Sequence, residues 1–242
     1  MESNDIRINK FLSECGYCSR READKLLENG QITINGKLAV LGSKVLPNDE
    51  VRANGKLVMK TSSTYTYLAL NKPRGIECTT NQTVKNNIVD FVNFKERIFP
   101  IGRLDKDSEG LILLTNDGDI VNKILRAKNN HEKEYIVKVD QQINEKFIDK
   151  MRNGVPILDT MTRRCKVTPV DENTFKIVLT QGLNRQIRRM CEHLGYEVVA
   201  LKRIRIMSIK LDVALGRYRE LTSDEVNQLN QLLLNSEKTA TT

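Results

Sequence analysis

The chain has 242 residues, of which 39% are hydrophobic and 29% charged, with a formal net charge of +8. That is room for one medium domain and a small one, with enough apolar residues for a packed core. It excludes a membrane span, because no apolar run nears the roughly 20 residues required; the acidic, polar start Met1-Glu2-Ser3-Asn4-Asp5 also lacks the pattern of a secretion signal, so a cytosolic protein is expected.

The positive charge favours a polyanionic partner without naming one. Five cysteines, at 15, 18, 78, 165 and 191, are odd in number and scattered, which argues against a disulfide framework. Cys15-Gly-Tyr-Cys18 has CxxC spacing, but no second pair follows and the histidines are His131 and His193 alone. A tetrahedral metal site needs four ligands, so no metal is expected, and these thiols read as small buried groups in a helix.

In chain order, Ile8, Phe11 and Leu12 mark a first short helix. Ser19-Arg20-Arg21-Glu22 has the form of a capping box, Ala23, Leu26 and Leu27 give the next helix an apolar face, and Gly30 ends it. Ile32 and Ile34 alternate with polar residues as a strand. Asn35-Gly36 and Asn54-Gly55 predict type I′ hairpin turns, since both residues of each pair tolerate positive φ. Arg7, Lys10, Arg20, Arg21 and Lys25 lie in or beside the two helices, as either a solvated face or a phosphate-binding one. Lys60 to Thr64 is small and polar and reads as a tether.

Beyond it, strands are predicted at 67–70, 111–114, 135–139, 165–170, 175–179, 198–201 and 205–209. Helices are predicted at 119–126, 144–151, 185–194 and 223–234, with Asn184 capping the third. Interleaving of this kind suggests an α+β domain around a mixed sheet. The end of the chain has no core-forming residues and is expected to be disordered.

Two clusters could carry chemistry. Gly102-Arg103-Leu104-Asp105-Lys106-Asp107-Ser108-Glu109-Gly110 is a polar loop bracketed by glycines before an apolar strand. Its alternating acids lack the Gly and downstream Glu of a calcium loop. Gln181-Gly182-Leu183-Asn184-Arg185-Gln186-Ile187-Arg188-Arg189-Met190 loads a helix start with arginines. Arginine there opposes the helix dipole, which hints at a use: pairing a carboxylate or gripping phosphate.

The order of these segments resembles two known families. Ile6-Arg7-Ile8-Asn9-Lys10-Phe11-Leu12, Ser19-Arg20-Arg21-Glu22-Ala23 and Ile32-Thr33-Ile34-Asn35-Gly36-Lys37 look like an S4 (α-L) RNA-binding domain. Gly102-Arg103-Leu104-Asp105, with Ser108, Gly110 and Leu111, resembles the signature of the RsuA/RluA pseudouridine synthases, in which the Asp is catalytic. Four further segments resemble that family's other motifs in order: Leu70-Asn71-Lys72-Pro73 with Gly75; Lys133-Glu134-Tyr135; Asn184-Arg185-Gln186-Ile187-Arg188-Arg189-Met190; and Leu215-Gly216 with Arg219 and Leu221-Thr222. Segments near 89–93, 122–127 and 131–135 are most similar to its F-type large-subunit ribosomal RNA branch.

The resemblance implies an S4 domain over 1–60, a linker over 61–66, a catalytic domain with a mixed, mainly antiparallel sheet over 67–235, and a tail from 236. It implies conversion of a uridine to pseudouridine in ribosomal RNA, 23S in particular, without cofactor or metal, by a cytosolic monomer. A transfer RNA stands as a second candidate substrate. Asp105 is the expected catalytic carboxylate, either as nucleophile at C1′ or as the base that removes a sugar proton. Arg188 would keep it ionised, with Arg185 as runner-up, and Tyr135 would stack on the uracil. Arg7, Lys10, Arg20, Arg21, Lys25, Lys72, Arg103, Arg185 and Arg189 are the expected RNA contacts. Flipping the uridine costs a few kcal/mol, least in loops. The competing reading is a non-catalytic ribosome-assembly protein with the same RNA-binding surfaces. A hydrolase using Asp105 and Asp107 is weaker, lacking metal ligands or a base partner.

Overall fold

The computed structural model describes residues 5–59 and 65–236. The acidic start, the tether at 60–64 and the end from 237 lie outside the described residues. Two compact units form. The first takes in the described residues up to Tyr65, with Lys95–Arg97; the second is Thr66–Phe94 and the described residues from Ile98.

The first unit runs β1 (Ile6–Arg7), α1 (Ile8–Glu14), α2 (Arg20–Glu28), β2 (Ile32–Ile34), β3 (Lys37–Leu38), β4 (Lys44–Val45), β5 (Val51–Ala53) and β6 (Lys56–Leu57). Its main sheet has the order β3-β2-β5-β6, while β1 pairs with β4. Both Asn-Gly turns are as the sequence requires, with φ of 51° and 76° at Asn35 and Gly36 and 50° and 74° at Asn54 and Gly55. The capping box forms in full: Glu22 N–H donates to Ser19 Oγ at 3.1 Å, and Ser19 N–H donates to the Glu22 carboxylate at 3.4 Å. Ile8, Leu12, Ala23, Leu27, Ile32 and Val51 close the core between helices and sheet. Cys15 and Cys18 are buried between α1 and α2 rather than within one helix, because Cys15 caps the end of α1. Burial pushes the Cys18 thiol up to about 11, so it packs as a neutral group.

The second unit runs β7 (Tyr67–Lys72), α3 (Ile88–Val92), β8 (Phe99–Pro100), β9 (Glu109–Thr115), α4 (Gly118–Leu125), β10 (Lys133–Val139), α5 (Glu145–Asn153), β11 (Pro156–Ile157), β12 (Thr160–Met161), β13 (Lys166–Asp171), β14 (Thr174–Leu179), α6 (Gln186–His193), β15 (Val198–Ile206), β16 (Ile209–Lys210), β17 (Tyr218–Glu220) and α7 (Ser223–Leu232). One sheet orders β13-β14-β10-β15-β9-β7-β17, with β16 on β15 and β8 on β9. Among the described residues its pairings are antiparallel except β9 with β15, which is parallel. This is the expected α+β architecture with a mixed, mainly antiparallel sheet.

The strands predicted at 198–201 and 205–209 are corrected. A single strand, β15, spans Val198–Ile206, and the chain then turns through Met207 into β16. The charged Lys202, Arg203 and Arg205 interrupt the apolar pattern, but the backbone ladder to β10 continues past them.

β7 and β9 are buried on both faces. Tyr67, Ala69, Leu111 and Leu113 join Ile120, Ile124 and Leu229 on one side; Leu68, Leu70, Ile112 and Leu114 join Ile88 and Ile98 on the other. That is why both read as unbroken apolar runs. A third cluster packs α5 and α6 on the β10–β14–β15 part of the sheet through Phe147, Met151, Phe175, Ile187 and Met190.

Candidate active site

The loop before β9 is anchored at several points. Leu104 is buried, and its N–H donates to Cys78 Sγ at 3.4 Å. Ser108 N–H closes a turn onto the Asp105 carbonyl at 3.0 Å, and Gly75 N–H donates to the Lys106 carbonyl at 2.8 Å. Asp105 therefore sits at the tip of a turn whose neighbours are held, with its own side chain 33% exposed.

α6 brings the cations. Its apolar face is fixed by Ile187, Met190 and Cys191 in the core, which turns Arg188 towards the loop. Arg188 Nη1 donates to the Val198 carbonyl at 3.1 Å, and Nη2 donates to Ser108 Oγ at 3.2 Å and the Asp107 carbonyl at 3.3 Å. Its Nε is buried without a hydrogen-bond partner and lies 3.8 Å from Asp105 Oδ2. Arg185 Nη1 approaches the same oxygen at 3.6 Å. Burial first, then the adjacent Arg185 charge, lowers the Arg188 pKa. A guanidinium stays charged through such shifts. Both ion pairs are longer than hydrogen bonds, so the carboxylate keeps acceptor capacity for a reacting group.

Helix α6 does not start as predicted. Asn184 is not the cap. Arg185 takes that position in the left-handed region, φ 49° and ψ 35°, with no side-chain cap. Asn184 is instead held by Arg189, whose Nε donates to its carbonyl at 3.1 Å and Nη2 to its Oδ1 at 3.3 Å. A non-glycine residue costs roughly 1–3 kcal/mol in that region. Here the conformation carries a guanidinium that faces Asp105.

Asp105 opens onto a cleft of about 930 Å³. Protein ligand pockets run from roughly 300 to 1,000 Å³, so a whole nucleotide fits. Arg103, Tyr135, Arg185, Ile187 and Arg188 line it with Asp105. Arg103 and Arg185 are exposed, Tyr135 is half-buried and Ile187 is core. Arg189 lies outside the lining.

Lys72 is a correction. It was expected among the RNA contacts but is 0% exposed, and its Nζ donates to the carbonyls of Pro73 and Ile76, both at 2.9 Å. Burial lowers its pKa. It braces the turn after β7 and has no surface to offer RNA. In the first unit Arg7, Arg20, Arg21 and Lys25 are exposed; Arg20 reaches Asn9 Oδ1 at 3.5 Å, and Lys10 pairs with Glu14 at 3.3 Å.

Two buried cations of the cleft have no role that the sequence alone assigns, Lys133 and Arg203. Lys133 stands in the segment that resembles the Tyr135 motif. Arg203 falls in the false gap between two predicted strands. A charged residue two positions from the buried Leu201, and so on the same face of the strand, is the signal that would have found it.

Comparison with known proteins accords with this geometry. The family described as RNA pseudouridylate synthase matches residues 66–193, and the S4 domain matches residues 6–51. The Dual-specificity RNA pseudouridine synthase RluF of Escherichia coli (strain K12) is 55% identical over 98% of this chain and 82% of its own length. The Ribosomal large subunit pseudouridine synthase B of Bacillus subtilis (strain 168) is 35% identical over 93% of this chain and 96% of its own. A solved pseudouridylate synthase superposes with a TM-score of 0.69 at 28% identity, covering 93% of this chain and 99% of that one. With a cleft that gathers an aspartate, two guanidiniums and a tyrosine, and with these matches over nearly its whole length, the chain belongs to the RNA pseudouridine synthases that carry an S4 domain.

Proposed function

We propose that this enzyme converts a uridine of large-subunit ribosomal RNA to pseudouridine, with the Asp105 carboxylate acting at the sugar–base junction. The observation that carries the reading is the placement of Asp105 at the mouth of a nucleotide-sized cleft, 3.6 and 3.8 Å from two guanidiniums. The reaction breaks the N1–C1′ bond, turns the uracil and rejoins it through C5; the C5 proton is lost and N1 gains one. Asp105 either bonds to C1′ until C5 displaces it, or takes a sugar proton and returns it. Arg185 and Arg188 stand beside it as its ion-pair partners. Tyr135 stacks on the base, and the exposed Arg103 and Arg185 meet the flanking phosphates.

The named targets of the relatives support the choice of RNA. One acts on the ribosomal large subunit, and one is called dual-specificity. A second RNA class, transfer RNA, is proposed on that ground. The basic helices of the S4 unit, with Arg7, Lys10, Arg20, Arg21 and Lys25, would hold structured RNA. Asp105 and both guanidiniums come from one chain, which suits a monomer. No helix among the described residues is long and apolar enough to cross a membrane, and the cytosol is the proposed compartment.

Tritium release from RNA labelled at uracil C5 tests the assignment. Wild type is expected to release label, while Asp105→Asn binds the same RNA with unchanged affinity and releases none. Equal release by both proteins refutes the role of Asp105; RNA binding without release by either favours a non-catalytic assembly protein. Chemical mapping of pseudouridines in ribosomal and transfer RNA from a deletion strain identifies the target.

A further inference from the structure

We infer that Lys133 and Arg203 form a cationic floor of the cleft that takes up the negative charge released onto uracil when its glycosidic bond breaks. This inference rests on the reading of Asp105 above. Lys133 and Tyr135 alternate on one face of β10, and Tyr135 is the register partner of Arg203 on β15. All three line the same cleft.

Both cations are deep. Lys133 is 8% exposed and Arg203 is 3%. Among the described residues neither forms an ion pair within 4.0 Å. Lys133 Nζ has one hydrogen bond, to the His131 carbonyl at 3.3 Å, which leaves two of its three N–H groups. Arg203 Nε donates to the Leu111 carbonyl at 2.6 Å, but its buried Nη2 has no partner. An unpartnered buried cation costs stability. Two together cost more: burial, and then Arg203, push Lys133 down to about 8. Uncompensated positive charge at the bottom of a cleft is built for an anion.

The anion is the departing base rather than a phosphate. Phosphates stay on the RNA backbone and meet the exposed arginines of the rim. The floor is walled by Tyr135, Leu183, Ile187 and Leu201, a surface suited to a flat ring. When N1–C1′ breaks, its electron pair passes to the uracil, where it spreads over N1 and the two carbonyl oxygens. Lys133 and Arg203 hold that charge through N–H hydrogen bonds and transfer no proton. C5 then bonds to C1′ and releases its proton to solvent while N1 gains one, so the charge is discharged with atoms balanced on either route open to Asp105. Donors fixed in advance on a developing charge are usually a large part of catalysis.

Titration of Lys133 gives the test its read-out. From β15 Arg203 faces it, from β14 the apolar Leu179, and from its own segment His131 and Tyr135; the same cleft is lined by Asp105, Asp107, Arg185 and Arg188. Single-turnover tritium release is measured across pH 6.5–9.5 with the full chain and a ribosomal RNA transcript, for wild type, Lys133→Met, Lys133→Arg, Arg203→Met and Asp105→Asn. Wild type is expected to slow above pH about 8, as Lys133 loses its proton. Lys133→Arg keeps its charge and loses that decline relative to wild type. The comparison matters because uracil N3–H also titrates in alkali. Lys133→Met and Arg203→Met are expected to lose on the order of 100-fold in rate at pH 7, with RNA affinity unchanged. The unfolding midpoint of Lys133→Met at pH 7 should rise, because a buried charge has gone. Wild-type rates in both methionine variants overturn the inference, as does a lowered midpoint in Lys133→Met or an identical alkaline decline in Lys133→Arg. Asp105→Asn separates the two readings. If it is inert while both methionine variants are fully active, only the floor is refuted; if it releases label, the Asp105 assignment falls.

Discussion

Single residues in this site are held at a cost to folding. Lys133 shows the sign most plainly. Its pKa in the folded protein, about 8, lies below the ordinary lysine value of 10.5, with burial as the main cause and Arg203 second. The native state therefore binds fewer protons than the unfolded chain between those values, and stability rises with pH across that window. Below pH 8 the penalty is complete, on the order of 3 kcal/mol at 1.36 kcal/mol per unit. Lys133→Met is expected to remove the rise, so that urea midpoints of wild type and variant converge between pH 8 and pH 10.5 after differing at pH 7. Arg185 in its left-handed cap and the orphaned Nη2 of Arg203 belong to the same pattern, local penalties gathered around one cleft. The residues named by motif, Asp105, Tyr135, Arg185 and Arg188, were legible because spacing and residue type survive in sequence. Lys133 and Arg203 were not, since their meaning lies in burial and in an absent partner, which depend on strands far apart in the chain. Lys72 failed for the same reason: nothing local says that a lysine after an apolar strand will be enclosed by carbonyls.

Among the elements, the parallel junction of β9 and β15 sets the site's geometry. Gly110 pairs with Arg203 there, at φ 108°, and a Cβ at that position would lie 2.3 Å from the Arg203 carbonyl oxygen and 2.7 Å from its nitrogen. Backbone cannot yield as a flexible side chain does, so only glycine lets the end of the Asp105 loop come this close to β15. Gly110→Ala is expected to destabilise the fold by about 2–4 kcal/mol, read from equilibrium urea denaturation, and to lower activity in molecules that still fold. The elements legible in the sequence have local causes: the Asn-Gly turns, the Ser19–Glu22 capping box and the amphipathic face of α6. Those that were not, α3 and the two-residue strands β8, β11 and β12, are too short to show a period, and long-range pairing fixes them. β15 reads as two strands because Lys202 and Arg203, the second of which lines the cleft, break its apolar period.

For the molecule as a whole, charge is the property that reaches furthest. A surplus of eight positive charges, with exposed arginines on α2 and around the cleft, predicts RNA binding that weakens steeply with salt. A logarithmic plot of affinity against salt should be linear. The triple variant Arg20→Gln, Arg21→Gln, Lys25→Gln should flatten its slope by roughly 0.7–0.9 for each phosphate it no longer neutralises, as fluorescence anisotropy would report. An unchanged slope would mean that the α2 face does not meet phosphate. Net charge was visible at once in the composition, but its division between an exposed rim and a buried floor emerged only with the fold.

The double-sided burial of β9 bears on how the protein is made. Leu111 to Leu114 is a run of four consecutive large apolar residues with no gatekeeping charge within it, the kind of segment that seeds aggregation when left bare. Its antiparallel neighbour β7 leaves the ribosome about forty residues earlier and is ready to cover one edge. On the other edge β8, also made earlier, pairs with Leu114 and Thr115, while Glu109 and Gly110 wait for β15, some ninety residues later. A nascent chain stalled before Val198 would hold the start of this sticky strand without its β15 partner, a natural customer for a chaperone.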